Sequence, residues 1–470
     1  MKLAFSLRAS TLFALSFTEM MIAFVRMMIL THILGPYEFG FAAAISATYA
    51  LIEQMTDIAI FRFVLSTPRS NYKEALSAAH ALGVARGIFV AVCILIISYP
   101  TACVLASCNN WPSFAWLAPV AMIRSFDNLE IRVGERDYKY RPQLIASIIS
   151  HSCGLIAMTI TALKTESHYA YVVYLLVQAA AYVVTSHFLS STKYEATFRT
   201  PFLSKAWAFG FPLTLNGIGL AVIGQGDRLM VGSLIGLTAL GFYAVITLAA
   251  FVPIGGLFRV LGPLQFAGLH NVTINSPKYV ARLQLFGRAV PMIAAGYALT
   301  LVFFLKPVVM LVFGASYAIS DLSLILLASI AFFRIVRTEP HTTLLLGAQD
   351  TRRLAVANLS QVIGLAIATT LVLFYPSIEF VLIGSLIGEG IGLCVMIIMT
   401  RALLKPAIAD YLASLIVMLS IVVSVGLLAV LVDGSLISRL MSAFGIFTIL
   451  LGAAYMFLSN LYRRAYSAQP

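Results

Sequence analysis

The stretch MILTHILGPYEFGF at Met28–Phe41 is repeated farther along the chain as LMVGSLIGLTALGF at Leu229–Phe242. A shift of 201 residues aligns the two stretches and matches both of their glycines and the phenylalanine that follows the second glycine. Each copy predicts an apolar helix that stops at a glycine-containing turn and is followed by another helix. The alternative is a chance similarity between two apolar helices. We interpret the pair as an internal repeat.

Composition places the repeat in a membrane. The chain of 470 residues is 60% hydrophobic and only 11% charged, whereas soluble proteins contain about 25% charged residues. A spanning helix needs about 20 apolar residues, and this length divides the chain into fourteen candidate spans. They are 10–33, 39–62, 80–101, 113–133, 143–163, 168–190, 207–232, 237–262, 283–305, 319–346, 353–374, 378–400, 410–432 and 437–461. We therefore predict an all-α polytopic membrane protein.

The basic residues alternate between the two sides of the membrane. Twenty of the 31 Lys and Arg residues lie in segments that face one side, while the opposite side holds only Lys164, Lys306 and Arg439. The positive-inside rule predicts that both termini are cytoplasmic. The net charge of +12 therefore reflects membrane orientation and does not indicate binding of nucleic acid.

The repeat predicts two lobes. Six predicted helices separate equivalent positions of the two copies, and because six is an even number both copies run in the same direction. A pseudo-two-fold axis along the membrane normal is then expected. We predict an N-terminal lobe of six helices at 1–190, a cytoplasmic linker at 191–206, a C-terminal lobe of six helices at 207–400, and two terminal helices at 401–470.

Five short motifs, in order along the chain, resemble those of the bacterial polysaccharide transporter family. They are Ile33–Gly40, Ala85–Gly87, Gly134–Arg141, Phe209–Thr214, and Asp227–Gly232 together with Gly236–Tyr243. This family consists of flippases for lipid-linked oligosaccharides within the multidrug, oligosaccharidyl-lipid and polysaccharide exporter superfamily. The chain departs from many members by having fourteen predicted spans where they have twelve, which leaves open how close it is to the fourteen-helix peptidoglycan lipid flippases.

The resemblance implies a transporter and not an enzyme. Such a protein would move an undecaprenyl-pyrophosphate-linked oligosaccharide from the inner to the outer leaflet of the bacterial cytoplasmic (inner) membrane by alternating access, for exopolysaccharide, O-antigen or capsule assembly. Its partners would be the lipid-linked glycan, membrane lipids, and a polysaccharide polymerase with chain-length machinery. The main alternative is a cation-coupled multidrug antiporter of the same superfamily.

Arginines inside the predicted spans are the candidates for binding the pyrophosphate, because guanidinium groups bind phosphate oxygens in bidentate fashion. Arg26 is the first candidate, since its position matches an arginine of related flippases; pairing with a carboxylate or snorkelling outward is the alternative. Arg228 falls one position from the repeat equivalent of Arg26, but Asp227 adjoins it. Arg124 shares a helical stripe with two acids, which is equally compatible with a structural role.

A second basic cluster is predicted in the C-terminal lobe, where Arg334 and Arg337 lie near Glu339. Arg86, Arg259 and Arg288 lie close to inner helix ends, and we expect them to snorkel to lipid headgroups.

Three acids inside spans are candidates for ion coupling. Glu53 and Asp57 are one turn apart in the second span, and Glu389 lies in the glycine-rich stretch GSLIGEGIG. Buried acids can carry protons or Na⁺; the alternatives are pairing with an arginine for Glu53 and Asp57, and a small-residue helix contact around Glu389. The chain contains no Gly-Lys pair and hence no P-loop. No cofactor is predicted, and the energy would come from H⁺ or Na⁺ coupling or from the membrane potential alone.

Two cysteines, Cys103 and Cys108, share a predicted outward loop. The sequence leaves open whether they are bridged or remain free thiols.

Overall fold

The computed structural model describes residues 2–137, 140–198, 201–270, 272 and 276–431. Within these ranges all regular secondary structure is helical, as the composition predicts. The predicted fourteenth span, 437–461, lies outside the described residues.

By packing, the chain divides into two compact units, Met1–Ala244 and Val245–Pro470. The first unit therefore contains both copies of the repeated glycine turn, because the second copy ends at Phe242. The sequence repeat predicts the linker at 191–206 as the boundary between two lobes, which is not the same as a division by packing. This boundary stays a prediction.

The described part of the first unit is built from ten α-helices and the start of an eleventh. They are α1 (Lys2–Ile33), α2 (Pro36–Met55), α3 (Ile60–Ser66), α4 (Tyr72–Leu105), α5 (Trp111–Ala115), α6 (Leu117–Arg124), α7 (Glu130–Val133), α8 (Arg141–Thr165), α9 (Tyr169–Leu189), α10 (Pro201–Leu234) and α11 (Leu237–His270). Short 3₁₀ turns at Arg69–Asn71, Cys108–Asn110 and Gly134–Asp137 join some of them.

The described part of the second unit contains the remainder of α11 and seven more α-helices. They are α12 (Pro277–Phe313), α13 (Asp321–Thr338), α14 (His341–Gly347), α15 (Thr351–Leu359), α16 (Val362–Phe374), α17 (Ile378–Leu404) and α18 (Ile408–Leu431), with a 3₁₀ turn at Ala315–Tyr317.

Eight helical segments of the described chain are long and apolar enough to cross a membrane. They include the segment Leu237–Leu269 in the second copy of the repeat and the segment Pro277–Phe313 that follows it. The chain is therefore a multi-pass membrane protein. The predicted total of fourteen spans stays a prediction.

Several predicted spans are interrupted at polar or helix-breaking residues. In the second span, α2 ends at Met55 and α3 begins at Ile60; the backbone N–H of Ala59 donates to the Asp57 carboxylate at 2.9 Å, and Ala59 has a φ of 46°. In the tenth span, α13 ends just before Pro340, whose missing N–H cannot continue the helix. The fourth span is broken between α6 and α7. The predicted spans at these places are therefore not single continuous helices: a carboxylate binds the backbone in the second span and a proline interrupts the tenth.

The two copies of the glycine turn pack directly against each other. A Cβ atom on Gly40 would lie 1.7 Å from the carbonyl oxygen of Leu237, and one on Gly241 would lie 2.5 Å from the carbonyl oxygen of Pro36. Pro36 and Leu237 are themselves equivalent under the 201-residue shift, so the contact is reciprocal, as across a local two-fold axis. Only residues without a Cβ let α2 and α11 approach this closely.

We expect Gly40→Ala to lower the free energy of unfolding by about 1 to 3 kcal/mol, because the added methyl meets a backbone carbonyl that cannot rotate away. Thermal unfolding of the purified protein in detergent measures the effect. Gly35→Ala is the matched control, since nothing lies within 4 Å of a Cβ there and its φ of −64° suits alanine. Equal stability of the two variants would contradict the close contact.

Cys103 and Cys108 form a disulfide at the end of α4, which resolves the pairing that the sequence left open. Disulfides form in oxidising compartments. The bond therefore agrees with the outward position that the charge pattern predicts for this loop.

We expect the denatured, unreduced protein to take up three maleimide groups, at the free residues Cys93, Cys153 and Cys394, and five after reduction. Intact-mass spectrometry counts the adducts. Cys108→Ser is the control, because it frees Cys103 and should give four adducts without reductant. Five adducts on the denatured, unreduced protein without the substitution would show that the bridge is absent.

Candidate functional site

Arg26 lies against two aromatic rings in the first unit. Its guanidinium carbon is 5.4 Å from the ring centre of Tyr171 and 4.9 Å from that of Tyr174, both on α9. The hydroxyl of Tyr174 is hydrogen-bonded to Nδ1 of His151 on α8 at 2.6 Å. Within the described part of the chain no carboxylate lies within 4.0 Å of Arg26. Its charge is thus stabilised by aromatic faces, and not by the carboxylate considered as its alternative partner.

Arg124 pairs with an acid of another helix. Nη1 of Arg124, the last residue of α6, lies 3.5 Å from Oε1 of Glu53 on α2. Asp127 follows in the break after α6, where its Oδ1 is buried and accepts no hydrogen bond from the described residues. The structure therefore connects two predicted site residues, Arg124 and Glu53, into one ion pair. Asp57 accepts the N–H of Ala59 and supports the break in the second span.

Arg86 caps the broken end of α2. Its Nε donates to the carbonyl oxygen of Thr56 and its Nη2 to that of Glu53, each at 2.8 Å. The last carbonyls of a helix have no partner within the helix, so this arginine supplies the missing donors. Arg288 likewise has a protein partner, Asp410. The expectation that Arg86, Arg259 and Arg288 snorkel to lipid headgroups stays a prediction.

Arg228 is not neutralised by the acid that adjoins it. Asp227 accepts the hydroxyl of Tyr243 at 2.6 Å through Oδ2 and the backbone N–H of Arg228 at 2.8 Å through Oδ1. Among the described residues, no carboxylate lies within 4.0 Å of the Arg228 guanidinium. Sequence adjacency was therefore a poor guide to the partner of Asp227.

The second unit contains a three-residue charge cluster. Glu389 on α17 accepts Nε of Arg334 at 2.7 Å and Nε of Arg337 at 2.6 Å, one at each carboxylate oxygen. Arg337 also donates through Nη1 to Asn358 at 3.1 Å, and the Arg334 guanidinium lies 4.3 Å from the ring centre of Phe251. One carboxylate between two guanidiniums leaves a net positive charge in a largely buried position.

Glycines create the space for this cluster. A Cβ on Gly392 would lie 2.8 Å from Cδ of Arg337, and the α-carbon of Gly388 lies 2.4 Å from the place of a Cβ on Gly364 of α16. The glycine-rich stretch around Glu389 thus does two things: it brings α16 and α17 into close contact and admits the arginine. The small-residue contact was one of the readings considered from sequence; the double ion pair was not.

A buried carboxyl near the cluster has no cationic partner in the described chain. Glu339 is 4% exposed, and its Oε2 accepts the hydroxyl of Thr343 at 2.9 Å. His341 is directed elsewhere, because its two ring nitrogens contact Thr400 and Tyr411. Glu339 is close to the arginines in sequence, but within the described residues it forms no ion pair with either of them.

A serine, a histidine and a glutamate from three different parts of the first unit are aligned. Nδ1 of His168 lies 2.7 Å from Oε2 of Glu38, and Nε2 lies 2.8 Å from Oγ of Ser113. Because the carboxylate can only accept, Nδ1 carries the proton and Nε2 accepts the serine hydroxyl. Phe41 stacks on the imidazole at 3.8 Å, and Ser113 is only 1% exposed. The network therefore fastens helix ends and does not present a nucleophile.

The structure groups the predicted site residues in a way that the sequence could not. Arg334 and Arg337 meet Glu389, and Arg124 meets Glu53, while Arg26 and Arg228 lack carboxylate partners in the described chain. The contacting residues Tyr171, Tyr174, Phe251 and Asn358 were missed. Aromatic and amide side chains are common in spanning helices, and no spacing pattern in the sequence singled these out.

We expect Glu389→Gln to lower the free energy of unfolding by about 3 kcal/mol, because it leaves two guanidiniums without their carboxylate. Glu339→Gln is the matched control: it removes a buried carboxyl of the same unit whose loss leaves no cation unpaired, so the change should stay within about 1 kcal/mol. Thermal unfolding in detergent compares the two variants. If Glu389→Gln destabilised the protein less than Glu339→Gln, the result would contradict the double ion pair of Glu389 with Arg334 and Arg337.

Comparison with known proteins supports a transporter fold. The chain is similar to a lipid II flippase, MurJ, in an inward closed conformation, with a TM-score of 0.61, 13% identity, and coverage of 97% of this chain and 99% of that chain. It is also similar to an inward-facing multidrug resistance MATE family transporter of the MOP superfamily, with a TM-score of 0.57, 12% identity, and coverage of 85% and 94%. At these identities the likeness establishes the fold alone.

A search of curated protein sequences finds no match. The model of one protein family, described as polysaccharide biosynthesis protein, matches residues 29–322. This range covers more than half of the chain and includes both copies of the glycine turn. The chain therefore belongs to the family of polysaccharide biosynthesis proteins.

Proposed function

We propose that this protein is a flippase that moves a polyprenyl-pyrophosphate-linked oligosaccharide from the inner to the outer leaflet of the bacterial cytoplasmic membrane by alternating access. The family membership and the fold that it shares with a lipid II flippase support a lipid-linked substrate. The observation that carries the proposal is Arg26, a guanidinium in the apolar helix α1 that is held by two tyrosine rings and by no carboxylate of the described chain.

The chemistry of a pyrophosphate suits this arrangement. The tyrosine rings lie against the Arg26 guanidinium without neutralising it, so its positive charge can still attract a pyrophosphate, whose oxygens suit bidentate binding by an arginine. A low-dielectric surrounding strengthens such charge-assisted bonds. An arginine already held by a carboxylate would first have to give up that ion pair, which makes Arg26 and Arg228 better primary ligands than Arg124, Arg334 or Arg337.

The membrane potential supplies a driving force without a cofactor. Moving one negative charge outward gains about 2.3 kcal/mol per 100 mV, so a pyrophosphate with two charges gains about 4 to 5 kcal/mol. Coupling to H⁺ or Na⁺ through Glu53, Asp57 or Glu389 is the alternative. The surroundings weigh against it, since Glu53 pairs with Arg124, Glu389 pairs with two arginines, and Asp57 accepts a backbone N–H.

A cation-coupled multidrug antiporter is the second candidate, because the fold is also similar to a MATE family transporter. The charges favour the flippase: a cation substrate gains nothing from arginines that lack carboxylate partners, whereas an anion does. We further propose, from the charge alternation and the family, that both termini are cytoplasmic. The protein would supply its glycan to a polymerase with chain-length machinery and would catalyse no covalent step itself.

We expect Arg26→Ala to reduce surface glycan production by about 10- to 100-fold, the effect of losing one charge-assisted contact. Arg26→Lys should keep part of the activity, because it keeps the charge but loses the planar fork. Glycan measured on intact cells, at equal expression of all variants, gives the readout.

Lys205→Ala is the control for this experiment. This substitution also removes a cation from an aromatic face, because Nζ of Lys205 lies 5.0 Å from the ring centre of Phe202. The predicted topology places Lys205 on the cytoplasmic side, away from the side on which a transported anion is released. Wild-type glycan levels in Arg26→Ala would remove Arg26 from the site. Loss of drug resistance with unchanged glycan in the same variant would favour the antiporter.

A further inference from the structure

The second unit has a cavity of about 610 Å³ that none of the residues discussed so far lines. Three cationic side chains and an apolar wall surround it. Its lining includes Arg353, Arg401, Lys405, Ile398, Met399 and Ile408.

Packing between three helices fixes the shape of this cavity. Arg401 lies near the end of α17 and Lys405 one turn later, so both project from the same side of the helix. Ala357 of α15 and Met396 of α17 are fully buried in one shared core cluster, which fixes Arg353 beside α17. Leu404 is fully buried in another cluster that continues into the start of α18.

The cavity carries an excess of positive charge. Arg353 pairs through Nε with Asp350 at 3.2 Å and remains 54% exposed. Within the described part of the chain, no carboxylate lies within 4.0 Å of Arg401 or Lys405. Two cations that have no carboxylate partner among the described residues, next to a third that is only partly compensated, are complementary to a phosphate.

The apolar wall distinguishes a lipid from a soluble phosphate. Ile398 is 67% exposed and lies on α17 ahead of Arg401, toward the hydrophobic middle of the helix. A soluble ion gains nothing from this surface. A phospholipid would bring its phosphate to the basic residues and lay its acyl chains along Ile398 and Met399.

We propose that this cavity binds an anionic phospholipid of the phosphatidylglycerol or cardiolipin type, with the phosphate held by Arg401, Lys405 and Arg353. The positive-inside pattern puts these residues at the cytoplasmic leaflet. The site is separate from the arginines assigned to transport, and the proposal stands or falls independently of the transported substrate.

The experiment uses the full-length protein, purified and delipidated in a neutral detergent. Native mass spectrometry and thermal unfolding are recorded with phosphatidylglycerol, with phosphatidylcholine of the same acyl chains, with inorganic phosphate and with undecaprenyl phosphate. We expect phosphatidylglycerol alone to bind tightly and to raise the unfolding temperature. The double variant Arg401→Gln, Lys405→Gln should bind it roughly 30-fold more weakly, because each basic residue contributes a factor of about five.

Arg352→Gln is the matched control, since this exposed arginine adjoins Arg353 but does not line the cavity. It should bind phosphatidylglycerol like the wild type. The charge-preserving double variant Arg401→Lys, Lys405→Arg should do so too, and it tests whether weaker lipid binding in the glutamine variant reflects misfolding. Equal binding of phosphatidylcholine, or unchanged binding in the glutamine double variant, would overturn the proposal. Tighter binding of inorganic phosphate or of undecaprenyl phosphate would overturn it in favour of a soluble anion or of the transported lipid.

Discussion

Compensation of buried charge is the constraint on which the rest of this structure depends. An arginine inside an apolar helical unit persists only where other groups meet its guanidinium. The described residues use three kinds of partner: a shared carboxylate for Arg334 and Arg337, the carbonyl oxygens at the end of α2 for Arg86, and tyrosine rings for Arg26. Each kind of partner also fixes the position of one helix relative to another.

Helix breaks and charges occur together for the same reason. A break exposes backbone carbonyls that need donors, and a polar side chain near the break supplies them. Arg86 does so at the end of α2, and the hydroxyl of Tyr411 donates to the carbonyl of Val336 near the end of α13. At these two places a helix interruption and the polar side chain that supplies its missing donor therefore occur together.

The fold alone does not choose the substrate, because the same architecture is similar to a lipid II flippase and to a multidrug transporter. The difference lies in which charges are already satisfied. Arginines bound to carboxylates join helices within one unit, whereas an arginine held by aromatic faces carries a charge that no carboxylate of the described residues neutralises. Under the proposed function, Arg337, which is tied to Glu389, has a structural role, whereas Arg26, which contacts Tyr174, has a binding role.

The sequence by itself determined the helical class, the approximate limits of the apolar helices and the repeated glycine turn, because hydropathy and turn chemistry are local properties of the chain. Only the tertiary structure decided the partners. Asp227 adjoins Arg228 in sequence yet binds Tyr243, and Arg337 finds Glu389 on a helix 52 residues away. Pairing depends on the rotation and packing of whole helices, which glycines such as Gly40 and Gly392 set by allowing close approach, and no local pattern encodes that rotation.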